Sequence, residues 1–446
     1  MKTTSTLLTA LFLVVNMQAQ TVEEFSLSEA VSYAQSNSNS VRDAQLDIAR
    51  AKADVQEYTA IGIPKVNAKV DYNYYIDIPT QLLPNDAFAL PGLPPPEPGF
   101  SEVQFGTRHN LTPSITVSTL VFDGSYFVGL KASKGLLDMT KRQADLKVYD
   151  IKYNVVQAYL QALLVEENRK VLLLNIENLK KIRFETNAFY ENGMVERLDV
   201  DRLDLSLSNL QVQLETLERQ MQLAKNVLKF QMNYPLQDSI VLTESLEDVI
   251  TLVEVDDLEG DIRYDSRIET DILKQTIALN ELNVKRFNTG YLPNLTAFFT
   301  HQQQLQRNDL FDADEPGFFP ITIVGATLNV PIFDGLDKAA KIKRAKIDIA
   351  KFELQLADLE RGIQLEVLNA RSNYKNAKKS LENQDENLAL AERILETTRI
   401  KYREGVGSSL EMTQAEQELY RTQANRLNAL YDLVLAKAAL DKALGK

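Results

Sequence analysis

The chain of 446 residues contains no cysteine and only two histidines. The lack of cysteine excludes disulfide bonds, thiolate metal sites, a cysteine nucleophile and lipoprotein acylation. Both histidines, His109 and His301, fall in segments predicted to be strands, where a polar or interface role is favoured over metal ligation. No nucleophile elbow, phosphate-binding loop or metal-ligand spacing is present. The sequence therefore predicts a protein that is not an enzyme and that uses no cofactor or metal.

Acidic residues outnumber basic ones, which argues against a nucleic-acid-binding protein. The chain has 49 Lys and Arg against 62 Asp and Glu, which gives a formal net charge of −13. A nucleic-acid surface needs a basic stripe that neutralises phosphates, so nucleic acid is excluded as a partner. Apolar residues make up 44% of the chain and charged residues 25%, values close to those of ordered proteins, so the chain is expected to fold.

Long hydrophobic runs are missing beyond the N-terminus. Leu7–Val15 is a short apolar run that follows Lys2 and precedes the small residue Ala19, a pattern typical of a secretory signal peptide over residues 1–19. A buried N-terminal helix is the alternative. The run is too short for a bilayer span, which takes about 20 residues. An exported chain of this kind either stays in solution outside the inner membrane or is inserted as β-strands.

Most of the chain consists of two copies of one plan. Phe122-Asp123-Gly124 recurs 211 residues later as Phe333-Asp334-Gly335. Two further motifs recur in the same order: the prolines Pro64 and Pro293 in similar octapeptides, and the Tyr-x-x-Gly motifs Tyr190–Gly193 and Tyr402–Gly405. Such a duplication predicts two structural repeats. We place them at residues 20–233 and 263–446, joined by an acidic connector at 234–262 that contains no basic residue and is expected to be solvated.

Each copy predicts the order helix, strand, loop, strand, very long helix, glycine-containing turn and long helix. Apolar and polar residues alternate with the period of a strand at 66–76 and 111–121, and less cleanly at 295–305 and 321–332. Residues 124–187 and 335–403 contain no proline and have helical spacing, so each would form a helix of about 90–100 Å if continuous.

Two further segments complete the pattern. Apolar residues form a heptad seam over residues 200–228 and a weaker one over 429–443, which indicates helices that pack side by side. Pro79–Pro98 contains seven prolines and is predicted to be a loop without regular structure. The predicted fold is mainly α with a small β part, in which long antiparallel coiled-coil helices form an α-barrel.

The four strands have one apolar face, one polar face and aromatic residues near their ends. This is typical of a transmembrane β-barrel, although a sheet packed on a soluble core has the same alternation. Four strands cannot close a barrel, and an open edge in lipid would leave backbone groups without partners. The chain is therefore expected to oligomerise: two chains would supply eight strands and three would supply twelve.

Over about residues 22–444, the order of these motifs resembles the TolC-like outer-membrane efflux proteins. The resemblance rests on the duplicated layout, the strand entries at Pro64 and Pro293, the two Phe-Asp-Gly turns and the two Tyr-x-x-Gly tips. It implies a homotrimer with a twelve-stranded barrel in the outer membrane and a helical tunnel across the periplasm. The implied partners are outer-membrane lipid, a periplasmic adaptor and an inner-membrane pump of an efflux or type I secretion system. A secreted coiled-coil structural or adhesive protein without a channel is the alternative.

The resemblance also implies a periplasmic gate at the helix tips. Glu411 stands where the family often has a constricting aspartate, and Gln414 where a second aspartate is frequent. Tyr402 and Asp199 match residues that link neighbouring helix pairs in the closed state. The arginine expected two residues after the second tip glycine is replaced by Gly407, so a salt bridge of that closed state is missing. The residues expected to contact the adaptor are Tyr190, Gly193, Glu196, Arg197, Gly405, Val406 and Gly407.

Overall fold

The computed structural model describes residues 23–88, 97–251, 262, 264–312, 314 and 316–445. The predicted signal peptide lies outside these residues, as do the centre of the proline-rich stretch and part of the acidic connector. The chain divides into two compact units. The first takes its described residues from the ranges up to Asp47, Lys141–Ile272 and Leu356–Lys446, and the second consists of Ile48–Thr140 and Leu273–Gln355.

Helices make up most of the described chain. They are α1 (Leu27–Asn37), α2 (Asn39–Ala60), α3 (Gly124–Glu191), α4 (Arg197–Met232), α5 (Leu246–Thr251), α6 (Ile268–Thr289), α7 (Asp337–Arg403) and α8 (Ser409–Leu444). The predicted very long helices are confirmed, since α3 has 68 residues and α7 has 67. Within the described ranges, no helix offers a segment with both the length and the apolar character that a membrane crossing requires.

Strands within the described ranges form three separate sheets. They are β1 (Glu23–Phe25), β2 (Lys65–Tyr74), β3 (Thr80–Pro84), β4 (Phe100–Gln104), β5 (His109–Phe122), β6 (Ile240–Leu242), β7 (Asn294–Arg307) and β8 (Phe319–Asn329). Elements of equal length follow one another in the same order in both halves of the chain: α2 and α6 have 22 residues each, and α4 and α8 have 36 each. The exact repeat boundaries stay a prediction.

The largest sheet lies in the second unit and has the order β2-β5-β7-β8, with every pair antiparallel. These are the four strands that the alternation predicted. Cross-strand partners point to the same face of a sheet. One such row runs across all four strands as Val66, Val117, Phe299 and Val324. This face therefore has one wholly apolar row, while the next row on the same face, Ala68, Ile115, His301 and Thr322, is half polar, and β2 and β8 are the edges of the sheet.

The proline-rich stretch departs from the prediction at its beginning. Thr80–Pro84 forms strand β3 and pairs antiparallel with β4, so the prediction that Pro79–Pro98 lacks regular structure is wrong there. Proline is tolerated at a strand end and on an edge, where its missing amide interrupts no ladder. Pro79 precedes this strand and Pro84 is its last residue, and the Asn85 amide continues the pairing to the Gly99 carbonyl at 2.9 Å.

The first unit buries part of the acidic connector. Strand β6 pairs parallel with β1, and Leu246 and Val249 of α5 are buried in the same core. The rings of Phe25, Tyr33 and Tyr234 pack edge to face with centroids 5.6–5.7 Å apart. A wholly solvated connector is therefore wrong for its described part, because its apolar residues alternate with the acidic ones and pack inward.

Candidate functional site: the helix tips

The helix tips are held by a core to which four helices contribute. Its buried residues are Leu172, Ile176, Leu179 and Ile182 of α3, Leu203 and Leu207 of α4, Ala391 and Leu395 of α7, and Met412, Ala415 and Leu419 of α8. Their spacing of three and four residues places them on one face of each helix. This core, which lies within the first unit, fixes two turns, residues 192–196 and 404–408.

Both turns use a glycine in the left-handed region. Gly193 has a φ of +71° and Gly405 a φ of +79°. The amide of the following residue donates to a carbonyl five residues earlier, at 2.9 Å from Met194 and 3.0 Å from Val406. This is the Schellman arrangement that ends a helix, and glycine adopts it without the Cβ penalty. The sequence prediction that these glycines close the turns is consistent with this geometry.

Gly407 is required for a different reason. A Cβ added here would lie 3.0 Å from the backbone nitrogen of Tyr402 and 3.1 Å from the carbonyl carbon of Lys401. The Gly407 amide also donates to the Lys401 carbonyl at 3.0 Å. The backbone is packed so closely that any side chain at this position would displace the turn. The replacement of the expected arginine is therefore tied to the shape of this turn.

Tyr402 bonds a residue that the sequence analysis did not identify. Its hydroxyl lies 2.8 Å from the Oγ1 atom of Thr186, and its ring meets Phe189 edge to face at 6.2 Å. Tyr402 is 7% exposed and Thr186 is fully buried. Burial raises the pKa of Tyr402, so the phenol is neutral at physiological pH. The partner of the hydroxyl within this chain is thus Thr186 of α3, and a link between Tyr402 and Asp199 of neighbouring helix pairs stays a prediction.

Asp199 connects the beginning of α4 to the beginning of α8. It accepts a hydrogen bond from the hydroxyl of Ser409, which is buried, and another from the Glu196 amide at 3.2 Å. Arg202 lies 3.7 Å away on the next turn of α4. A carboxylate at this position also interacts favourably with the helix N-terminus. Ser409 was missed because a serine that follows another serine at a helix start carries no sign of a distant partner.

Glu411 and Gln414 share the exposed face of α8. They are three residues apart, so they lie on neighbouring turns of one side, while Met412, Thr413 and Ala415 are buried on the other. The Glu411 amide donates to the Ser408 hydroxyl at 3.2 Å, which caps the helix. The carboxylate of Glu411 therefore faces outward.

The predicted adaptor-contact residues lie on or beside the two turns. Val406 is 79% exposed, and Met194, which was not predicted, is 72% exposed. The guanidinium of Arg197 lies 5.7 Å above the ring of Tyr190 and pairs with Asp201 at 2.9 Å. Glu196 is the N-cap residue of α4. The turns thus present apolar side chains beside ordered charges, a combination suited to a protein contact.

A buried ion pair lies in the same core. Glu416 is 5% exposed, and its Oε1 atom lies 3.3 Å from Arg399 of α7. It borders a cavity of about 70 Å³ with polar lining residues that include Asn175 and Asn209. Burial raises the pKa of Glu416, and the Arg399 guanidinium opposes this only in part. Glu416 follows the buried Met412 by four residues, and this spacing is the sequence signal that places it on the buried face of α8.

Neither histidine stands in a metal-binding cluster. His109 shares a hydrogen bond of 2.8 Å with the hydroxyl of Tyr72, and His301 shares one of 2.8 Å with the hydroxyl of Thr322. Across the part of the chain that the structure describes, no group of three or more His, Asp or Glu side chains is arranged to hold a metal.

Two comparisons of sequence match part of the chain. Residues 283–446 match the sequence model of the family described as outer membrane efflux protein. The outer membrane efflux protein BepC of Brucella suis biovar 1 (strain 1330) is 23% identical over 166 residues, which are 37% of this chain and 35% of BepC. That alignment therefore spans about a third of the curated relative.

Solved structures match almost the whole chain. The outer membrane protein VceC of Vibrio cholerae superposes with a TM-score of 0.69 at 15% identity, over 94% of this chain and 96% of VceC. The open state of the MtrE outer membrane channel of Neisseria gonorrhoeae gives a TM-score of 0.71 at 15% identity, over 94% of this chain and 88% of MtrE. The resemblance to the TolC-like outer-membrane efflux proteins is thus confirmed: residues 283–446 match the sequence model of outer membrane efflux proteins, and the fold of VceC and MtrE is matched over 94% of the chain.

Proposed function

We propose that the protein is an outer-membrane channel that passes substrates from a pump and a periplasmic adaptor to the cell exterior. The observation that carries the proposal is the apolar row of Val66, Val117, Phe299 and Val324 across the four-stranded sheet. The next row on the opposite face consists of Asn67, Thr116, Thr300 and Ile323, of which three are polar. One face thus suits lipid and the other a wet lumen.

The exposed edges of the sheet support a trimer. Val66 and Val324 on β2 and β8 are 68% and 79% exposed, so a single chain leaves both the apolar face and its edge strands uncovered. In lipid, an unpaired edge is costly because its backbone groups find no water. Three copies would pair β8 of one chain with β2 of the next and close a barrel of twelve strands. The helical body would then lie in the periplasm.

The helix tips serve as the periplasmic gate and the adaptor contact in this proposal. Three chains would bring three copies of Glu411 near one axis, where their carboxylates repel one another and attract cations. Tyr402 and Asp199 would resist opening through their bonds to Thr186 and Ser409. Gln414 makes this ring less acidic than one with two carboxylates per chain. The exposed turns around Val406 would receive the adaptor.

The proposal also assigns no catalysis to the chain, in keeping with relatives that are channels. Its test is the mass of the detergent-purified mature protein, followed by its conductance in planar bilayers. We expect a trimer that inserts and conducts ions. A stable monomer that is extracted without detergent would overturn the channel and favour a coiled-coil structural protein instead.

A further inference from the structure

The second unit contains a groove of about 360 Å³ where the large sheet meets the helices. The ends of α2, β5 and α6 line it together with the beginnings of α3 and α7. Three of its lining residues are cations, namely Arg286, Lys338 and Lys341, and two are the tyrosines Tyr58 and Tyr126. Asp123 and Asp337 also line the groove, so cations exceed carboxylates by one here, whereas the chain as a whole has a formal net charge of −13.

The carboxylates that line or border this groove already have partners. Asp123 accepts hydrogen bonds from the amides of Ser125 at 2.7 Å and Tyr126 at 3.2 Å. Asp337 pairs with Lys341 at 2.6 Å. These carboxylates therefore stabilise the helix starts and one lysine. Lys338 pairs with Asp334 at 3.3 Å, and both are only about one-fifth exposed.

Arg286 is the cation whose charge is left uncompensated. It donates to the Tyr58 hydroxyl at 3.4 Å and lies 5.2 Å above the ring of Phe287. Among the described residues, no carboxylate forms an ion pair with it, although its side chain is half-buried. A partly desolvated guanidinium is best satisfied by an anion that accepts two parallel hydrogen bonds, as a phosphate does.

Large apolar side chains are exposed next to the cations. Ile332 is 93% exposed, Phe333 80% and Leu336 67%, and the turn that carries them leads directly into the groove residues Asp337 and Lys338. Leu336 has a φ of +69°, which is uncommon for a residue with a side chain. The turn thus holds an apolar surface in water at the base of a sheet whose own apolar face is uncovered, and this favours an amphiphile as the occupant.

We propose that this groove binds the phosphate of a phospholipid headgroup, with the acyl chains lying along Ile332, Phe333 and Leu336. The inference rests on the proposed function, because it requires the sheet to lie in a membrane. Arg286 supplies the bidentate contact and the uncompensated charge, and Lys338 and Lys341, which are paired with Asp334 and Asp337, line the same groove. A free phosphate ion would share the headgroup chemistry but would leave the exposed apolar turn without a partner.

Native mass spectrometry of the detergent-purified protein tests the proposal with three probes: phosphatidylglycerol, diacylglycerol without a phosphate, and inorganic phosphate. We expect phosphatidylglycerol to bind and the other two to bind at least about tenfold more weakly. Equal binding of diacylglycerol would overturn the phosphate contact. Equal binding of inorganic phosphate would overturn the lipid.

Two neighbouring substitutions locate the site. Arg286→Gln should weaken phosphatidylglycerol binding by at least about tenfold, because it removes the guanidinium. Lys285→Gln removes the same charge from an exposed position outside the groove and should leave binding unchanged. Arg286→Lys keeps the charge and should recover part of the loss. Equal binding in both glutamine variants would overturn the groove as the site.

Conductance of the same preparations separates this proposal from the channel function. Arg286→Gln should still form the oligomer that wild type forms and should still conduct in bilayers. A conducting protein whose Arg286→Gln variant keeps its lipid overturns the lipid site alone. A wild-type protein that does not insert or conduct overturns the proposed function, whatever lipid it binds.

Discussion

The hydroxyl of Tyr402 lies 2.8 Å from the Oγ1 atom of Thr186, and both side chains are buried where α7 and α3 approach their ends. Since one residue belongs to each long helix, this bond joins the two halves of the chain beside the tip turns. A buried hydroxyl pair contributes to stability mainly because each group would be unsatisfied without the other. Opening of the tips that separates α7 from α3 must break it.

Tyr402→Phe should therefore destabilise the tips by about 1 kcal/mol, because it leaves the Thr186 hydroxyl without this partner. If the tips form the gate, the resting conductance in planar bilayers should rise. Thermal unfolding and conductance of the same preparation check both effects. Tyr190→Phe is the control, since Tyr190 is 38% exposed and the substitution likewise removes only a hydroxyl. Unchanged conductance in Tyr402→Phe would place the gate elsewhere.

Alanine substitutions at two glycines, one inside α7 and one in the turn that follows it, should change the free energy of unfolding in opposite directions. Gly405 has a φ of +79°, so Gly405→Ala should lower the free energy of unfolding by about 1–2 kcal/mol. Gly362 lies inside α7, and a Cβ added there would have no atom within 4 Å. Gly362→Ala should therefore raise the free energy of unfolding by about 0.5–1 kcal/mol. Thermal unfolding measures both. A loss of stability at Gly362 would contradict this assignment, because nothing there should meet the new methyl group.

The sequence predicts the elements of this fold well because their signals are local. The alternation at residues 66–76 and 111–121 needs no knowledge of the neighbouring strands, and the absence of proline over 124–187 permits one long helix. The proline count misled the prediction for Thr80–Pro84, since one proline precedes the strand and the other is its last residue, where neither interrupts the ladder.

The contacts of the site were harder to predict because they depend on which helices face one another. Repetition of the Tyr-x-x-Gly motif locates both turns and Tyr402. It does not show that Thr186, more than 200 residues away, receives the Tyr402 hydroxyl, or that Ser409 bonds Asp199. Tertiary packing decides these partners, and a single sequence has no signal for them.

Glu411→Gln should weaken cation selectivity with only a small loss of stability. The carboxylate is exposed in the first turn of α8, where it interacts weakly with the helix N-terminus, and the substitution keeps the bond from the residue 411 amide to the capping Ser408 hydroxyl. In the proposed trimer it removes three carboxylates from the constriction. Reversal potentials in asymmetric salt and block by divalent cations measure the effect. Glu386→Gln removes an equal charge from the exposed surface of α7 and should leave selectivity unchanged. Equal selectivity in all three proteins would show that Glu411 does not line the path.

Glu416→Gln should stabilise the protein at neutral pH and have little effect in acid. Burial raises the pKa of Glu416 above its ordinary value of 4.5, so the folded state favours the protonated carboxyl. The protonated carboxyl therefore contributes stability to the folded state. This stability is fully present below pH 4.5, the ordinary pKa, and is lost as the pH rises through the raised pKa of the folded state. Glutamine keeps the neutral form at every pH. The variant should thus unfold at a higher temperature than wild type at pH 7 and at a similar temperature near pH 4.

The groups around Glu416 make this difference interpretable. Arg399 is the charged group that faces it, and this side chain is 32% exposed, so water can hydrate the guanidinium once its partner is neutral. Asn175, Asn209 and Tyr420 line the adjoining cavity and carry no charge at these pH values. Glu418→Gln is the control because that carboxylate is 49% exposed beside Arg421, where solvent screens the pair. If Glu416→Gln lowers the unfolding temperature at pH 7, the attraction of Arg399 outweighs the cost of burying the charge, and Glu416 stabilises the tips as an ion pair.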